Sequence, residues 1–292
     1  MDLDVIIVAY KNEATIEQLL RSLATAMEAG HRMRVFLHDN GPEAATAAHA
    51  APVAASLGLD MTVQECSKNC GFARGCNSAV ALGSAPVLLF LNPDAHVVSL
   101  PETMPDALLG AVVLDGAGRQ QVTFGPRRRL RDEALLRWAR RRPRVPTGAG
   151  YVSGACFLIQ RQSFVQLGMF DDRYFMYYED IDLGRRAAVA GLPVRLEEHL
   201  VIVHSGGHSA AQEASLRSMT ASYESGRLFH EASESAYDLF CFVDAVLRVV
   251  YWGARRERRE AEAWGRLARH VVRRGLVNRR PEVVSGGPGG PR

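Results

Sequence analysis

Along residues 1–94, short unbroken apolar runs alternate with segments whose apolar positions recur at helical spacing. Asp4–Tyr10 (DVIIVAY) and Val87–Leu91 (VLLFL) are apolar throughout, as in strands covered on both faces of a parallel sheet. Between them, Ile16, Leu19, Leu20, Leu23 and Met27 keep a helical period behind Thr15-Ile16-Glu17-Gln18, a capping-box pattern, and Gly30 closes the segment. Val35–His38 and residues 61–66 read as the second and third strands, with helices over 43–57 and 72–82. This alternation predicts a doubly wound α/β sheet. Ligands of such sheets sit beyond the carboxyl ends of the strands. Tyr10, Asp39 and Asn92-Pro93-Asp94 all fall at strand ends and are expected to converge on one crevice.

After residue 94 the pattern changes. Residues 111–115 and 121–124, joined by Gly116-Ala117-Gly118, read as a hairpin. Val152–Gln160 reads as one strand containing Ser153-Gly154-Ala155, and Pro193–His204 as another. The chain is expected to be helical from about Tyr223 onward. Residues 125–150 are rich in arginine and proline and are read as a mobile loop over the site, with a helix near 132–141. Residues 285–292 (SGGPGGPR) read as a disordered tail.

Composition narrows the class. With 292 residues, 47% of them hydrophobic, the chain can bury one large α/β domain plus an appendage. No apolar run reaches the roughly 20 residues of a membrane-spanning helix. The acidic start, Met1–Asp4, leads directly into a strand, unlike a signal peptide. The five cysteines are odd in number and lack CxxC pairs, which argues for reduced thiols in a cytoplasmic protein rather than disulfides or structural zinc. The net charge is only +3, but arginines crowd residues 127–144 and 248–280, suggesting an anionic partner. Nucleic acid fits poorly, since these clusters have few interleaved aromatics.

The chemistry concentrates in Phe175–Arg186 (FMYYEDIDLGRR), where aromatics lead into three acids at the start of a helix. Acids are common in a first turn, where unpaired N–H groups and the helix dipole favour negative charge, so capping alone would explain a single one. Asp182 and Arg186 are spaced to pair, which leaves Glu179 and Asp180 for other work. A second acidic site, Asn92-Pro93-Asp94, fixes a carboxylate after a buried strand; by itself it is a common turn, but with substrate phosphates it suits Mg²⁺ or Mn²⁺. Asn69-x-Gly71-Phe72-Ala73-x-Gly75-x-Asn77 is a glycine loop opening a helix, and is neither GxGxxG nor a P-loop. His204 ends a strand and is either a structural histidine or a metal ligand.

Taken in order, these motifs resemble the inverting family 2 glycosyltransferases of the GT-A fold, especially their bacterial rhamnosyltransferase-like branch. The likeness rests on VIIVAYKN (Val5–Asn12), HDNG (His38–Gly41), NxGFAxGxN (Asn69–Asn77) and LNPD (Leu91–Asp94). It continues through SGACFLI (Ser153–Ile159), Leu167–Arg186 and VHSxGxS (Val203–Ser209), and fades past residue 210. It implies a catalytic domain over 1–210, with a nucleotide-binding half (1–100) and an acceptor and catalytic half (101–210); residues 211–284 themselves read as a basic amphipathic helical region.

The resemblance also implies roles. Asp39 would hydrogen-bond a pyrimidine base, with Arg74 near the base or diphosphate and Tyr10, Asn12, Asn69, Gly71, Asn77 and Asn92 lining the donor site. Gly154 and Ala155 would offer backbone to acceptor and sugar. Asp94 would hold Mg²⁺ or Mn²⁺, with His204 as a further ligand; Asn92 stands where the family's D-x-D motif has its first aspartate, so the ion loses one charge. Asp180 would be the catalytic base, supported by Glu179 and Asp182. Inverting transfer needs one base and positive charge at the leaving diphosphate, and no enzyme nucleophile. The expected reaction moves L-rhamnose from dTDP-rhamnose to a cell-surface glycan or lipid-linked acceptor. The alternatives are a UDP-hexose or UDP-galactofuranose transferase and a catalytically silent sugar-nucleotide-binding protein. The apolar stretch from Phe240 to Trp252, followed by arginines to Arg274, is expected to lie on the inner face of the cell membrane or to pack on the catalytic domain or a second copy in a homodimer.

Overall fold

The computed structural model describes residues 1–66, 68–121, 123–125, 130, 150–204 and 216–277. The helix expected near 132–141, the loop around it, Ser205–Ser209 and the tail at 285–292 lie outside them.

Strands β1 (Asp2–Ala9), β2 (Arg32–Asp39), β3 (Asp60–Glu65) and β4 (Val87–Leu91) are parallel and lie in the order β3-β2-β1-β4. Helices α1 (Ile16–Glu28), α2 (Ala45–Ser56) and α3 (Phe72–Val80) connect them. Every residue of β4 is buried, as its unbroken apolar run requires. The apolar face of α1 (Ile16, Leu19, Leu20, Leu23) packs into the same core as β1 and β2. The capping box does not form. Thr15 makes no side-chain cap, and its hydroxyl donates to the Asn12 carbonyl instead (3.3 Å).

The sheet continues through β9 (Cys156–Gln160), β6 (Leu108–Leu114), β10 (Val194–His204) and β5 (Ala95–Ser99), giving eight strands. β9 runs antiparallel to β4 and β6, and β5 antiparallel to β10, so the sheet is mixed. The second half departs from the expected pattern in three places. β5 is an additional edge strand. The expected hairpin reduces to a turn at Asp115–Arg119 and one bridge, Leu114 with Gln120, while Leu108–Leu114 lies inside the main sheet. The expected strand over 152–160 breaks at Ser153-Gly154-Ala155. Its first part, β8 (Tyr151–Val152), pairs with β7 (Phe124–Gly125), and only the remainder joins the main sheet as β9. A short helix, α4 (Arg161–Gln166), follows β9.

Helix α5 (Glu179–Val189) carries the acids, and its buried Ile181, Leu183 and Ala187 pack with Phe90, Phe157, Phe164 and Phe170. Three further helices close the described chain: α6 (Leu216–Phe229), α7 (Glu234–Ala254) and α8 (Arg258–Val277). α7 and α8 pack together, with α6 against both, around Tyr223, Tyr237, Phe240, Cys241, Leu267 and Val271. No helix among the described residues is long and apolar enough to cross a membrane.

Candidate active site

Parallel pairing of β2, β1 and β4 brings their carboxyl ends to one edge, with Asp39 ending β2 and Tyr10 and Asn92 following β1 and β4. β9 runs the other way, so its amino end and Ala155 meet the same edge. β10 lies parallel to β6, and His204 therefore ends there too. The convergence expected from the sequence is present.

Asp94 and His204 come together because β5 pairs antiparallel with β10, with Ala95 opposite His204. Asp94 Oδ1 and His204 Nε2 stand 3.0 Å apart, both side chains largely buried. A carboxylate and an imidazole in contact suit a divalent ion that accepts both oxygen and nitrogen.

The acid helix starts from a strained approach. Tyr177 (φ 71°) and Tyr178 (φ 69°) are consecutive non-glycine residues in the left-handed region. Such residues cost on the order of 1–3 kcal/mol each and persist where surrounding structure enforces them. The C-terminal helices supply that enforcement. Ser225 donates to the Met176 carbonyl (2.9 Å), the Tyr177 and Ser218 hydroxyls meet at 3.2 Å, and the Tyr178 and Tyr237 hydroxyls at 3.3 Å. A side chain at Gly226 would collide with the Tyr237 hydroxyl, so α6 can press closely here only with glycine.

Asp180 is half-buried at the start of α5. Its Oδ2 accepts from the Gly154 N–H (2.8 Å) and its Oδ1 from the Ile181 N–H (2.7 Å). One residue along, the Ala155 carbonyl accepts from the Asn92 N–H (2.9 Å). The break between β8 and β9 thus joins the two acidic sites through consecutive residues. Glu179 is only 5% exposed, and its Oε2 has no hydrogen-bond partner among the described residues. Burial, and then the neighbouring Asp180 carboxylate, push Glu179 well above the usual carboxylate range. Charge on Glu179 is therefore disfavoured in the folded chain.

Asp182 makes the pair with Arg186 that its spacing predicts. It is buried, and its oxygens accept from Arg185 (2.7 Å) and Arg186 (2.7 Å). Arg186 also donates to the Leu167 and Met169 carbonyls, so the pair fastens α5 to the preceding turn. The Asn77 side chain accepts from the Phe170 N–H (3.1 Å) and donates to the Phe170 carbonyl and to Asp172, clamping that segment. Asp39 is fully buried, and its oxygens accept from the Gly41 (2.7 Å) and Ala47 (2.8 Å) N–H groups. It folds the loop after β2. Asn12 is likewise buried and braces the loop after β1, accepting from the Tyr10 N–H.

Tyr10 is exposed beside Lys11, itself left-handed at φ 59°. Asn69 accepts from the Gly71 N–H, and Arg74 is exposed, 3.7 Å from Asp172. Gly71 (φ 89°) presses on the Phe175 carbonyl, which also accepts from the Phe72 N–H (2.7 Å). The glycine loop and the aromatic approach to α5 are thereby one unit. Asn40, given no role from sequence, donates to the Gly71 carbonyl (3.0 Å) and ties this unit to β2. Its place in His38–Gly41 was the available signal.

This fold, with both acidic sites at one sheet edge, is that of the GT-A nucleotide-sugar transferases. Residues 4–168 match glycosyl transferase family 2, and the chain belongs to that family and is a glycosyltransferase. Among individual proteins it is similar to the N-acetylglucosaminyl-diphospho-decaprenol L-rhamnosyltransferase of two Mycobacterium tuberculosis strains, at 29% identity over 252 residues, covering 72% of this chain and 78% of the relative. Among solved structures, a mannosyltransferase from Pyrobaculum calidifontis in complex with GDP-Man and Mn²⁺ matches with a TM-score of 0.56 at 14% identity, covering 95% of this chain and 88% of that one. GalNAc-T7 with UDP, GalNAc and Mn²⁺ matches with a TM-score of 0.52 at 13% identity, covering 70% and 43%. At these identities the two structures bear on the fold alone.

Proposed function

We propose that the chain transfers L-rhamnose from dTDP-rhamnose, with inversion, to a lipid-linked saccharide acceptor, and that Asp180 is the base. The observation that carries this reading is the pairing of consecutive residues Gly154 and Ala155 with Asp180 and Asn92. It sets a carboxylate and the Asn92–Asp94 turn on either side of one backbone step. The M. tuberculosis relatives, named as rhamnosyltransferases acting on N-acetylglucosaminyl-diphospho-decaprenol, support the sugar and the acceptor class.

Asp180 accepts the proton of the acceptor hydroxyl as its oxygen attacks the anomeric carbon. Two N–H donors fix the carboxylate, so it needs little reorganisation. Burial beside it disfavours a second negative charge on Glu179. Asp94 and His204 would hold a divalent cation, which when bound offsets charge on the departing diphosphate. Tyr10 and Lys11 are exposed at the end of β1, where we place the nucleotide, with the exposed Arg74 as a further donor-site residue.

The membrane is the proposed setting of the reaction. α7 is inverted for a surface helix: every exposed position between Ser235 and Ala254 is uncharged, while Asp238 and Asp244 turn inward. Leu239, Val243, Val246 and Val250 form its outer stripe, and exposed Arg255, Arg256, Arg258 and Arg259 follow at one end. Apolar surface next to arginines suits an anionic leaflet. This revises the expectation for the whole stretch, because Phe240 and Cys241 pack inward, Trp264 stacks under Arg248 and Arg274 pairs with Glu224.

Donor competition tests the reading. Transfer to a lipid-linked N-acetylglucosaminyl diphosphate is expected from dTDP-rhamnose and to fall on adding EDTA. Transfer from UDP-hexoses alone would contradict it.

A further inference from the structure

We infer that His38, Cys66 and Cys70 form a site for a soft divalent metal ion of the zinc class, at the carboxyl ends of β2 and β3. The site is separate from Asp94 and His204, and the inference does not rest on the proposed transfer.

The three ligand atoms lie within 4.8 Å of one another, with Cys70 Sγ 3.4 Å from His38 Nε2. Atoms bound to tetrahedral zinc at about 2.0–2.3 Å stand about 3.3–3.8 Å apart, so small side-chain shifts complete the geometry. Asn40 Oδ1 joins them, 3.2 Å from His38 Nε2 and 3.3 Å from Cys70 Sγ. It is fixed as an acceptor because it takes the Cys70 N–H while its amide donates to the Gly71 carbonyl. Two sulfurs, an imidazole nitrogen and an amide oxygen therefore converge on one point, an electron-rich set that a cation satisfies. Gln64 Oε1 lies 3.1 Å from His38 Nδ1, where it can accept that N–H and leave Nε2 bare for the ion. Two thiolates balance the charge of one divalent ion, and soft sulfur favours zinc over Mg²⁺ or Mn²⁺.

Sequence spacing argued against structural zinc because the third ligand, His38, comes from a different strand. The ion would brace the loop before Gly71, and with it the contact to Phe175.

The test uses the full chain, reduced and stripped of metal, titrated with Co²⁺ and then Zn²⁺. We expect one Co²⁺ per chain, with thiolate-to-metal and tetrahedral visible absorption, displaced by Zn²⁺ but not by excess Mn²⁺. Cys66→Ser and Cys70→Ser should abolish the spectrum, His38→Gln should weaken binding at least tenfold, and Cys76→Ser should leave it intact. Zinc should raise the Tm of the wild type and not of Cys70→Ser. Absence of both the spectrum and the Tm shift overturns the assignment, as does an equal effect of Cys76→Ser. A Cys66–Cys70 disulfide found by peptide mapping in protein purified with zinc present also overturns it, in favour of a redox pair.

Discussion

Glu179 is a carboxyl group with almost no water and one unpartnered oxygen, next to the residue assigned as the base. A pKa raised in the folded state means that the folded chain keeps a proton the unfolded chain has lost. Stability from this group is complete below the unfolded value of about 4.3 and falls as pH rises through the folded value. Glu179→Gln removes that dependence. Melting curves from pH 4 to 8 should show the wild type losing ground to the variant as pH rises. Parallel curves would mean that Glu179 ionises like a surface carboxylate. The acids themselves were legible in the sequence as first-turn residues, and the Asp182–Arg186 pair as a spacing. The division of labour was not. Which acid is buried, and which pairs with two arginines, depends on the turn at Leu167–Met169 and on Gly154, and neither is close in sequence to the acids.

At the scale of elements, the glycine loop and the approach to α5 act as one part. Gly71→Ala adds strain at φ 89° and drives a Cβ into the Phe175 carbonyl, whereas Gly118→Ala meets strain (φ 74°) but open space. The second change should cost about 1–2 kcal/mol. The first should cost more and also lower turnover at least tenfold, by moving the segment that leads to Asp180. Thermal unfolding together with initial rates checks this. Equal stability and activity in the two variants would uncouple the loop from α5. The first four strands and three helices were readable from apolar runs and helical spacing. β5 was not, because a five-residue edge strand leaves a weak pattern. Nor was the break at Ser153–Ala155, where small residues read as strand until the neighbouring sheet shows otherwise.

Across the whole molecule, the C-terminal helices serve the site and also face outward. Through Ser225, Tyr237 and Gly226 they hold the left-handed tyrosines in place, a long-range role that composition cannot reveal. On the outer side, α7 presents its uncharged stripe, and each arginine near an anionic leaflet adds about 1 kcal/mol. Full-length protein should float with anionic vesicles at low salt. Val243→Glu, Val246→Glu and Val250→Glu combined should abolish flotation without lowering the Tm, since all three side chains point away from the core. A variant that still floats, or a wild type that does not, would leave the stripe to another occupant.

The central claim is that Asp180 takes the acceptor proton at a site built by Gly154 and Ala155. The most direct measurement compares rhamnosyl transfer by wild type and Asp180→Asn on the same lipid-linked acceptor, with donor affinity measured in parallel. The account predicts a loss of about a hundred- to ten-thousandfold in kcat, with donor affinity nearly unchanged. A variant that keeps more than about a tenth of wild-type turnover would contradict it.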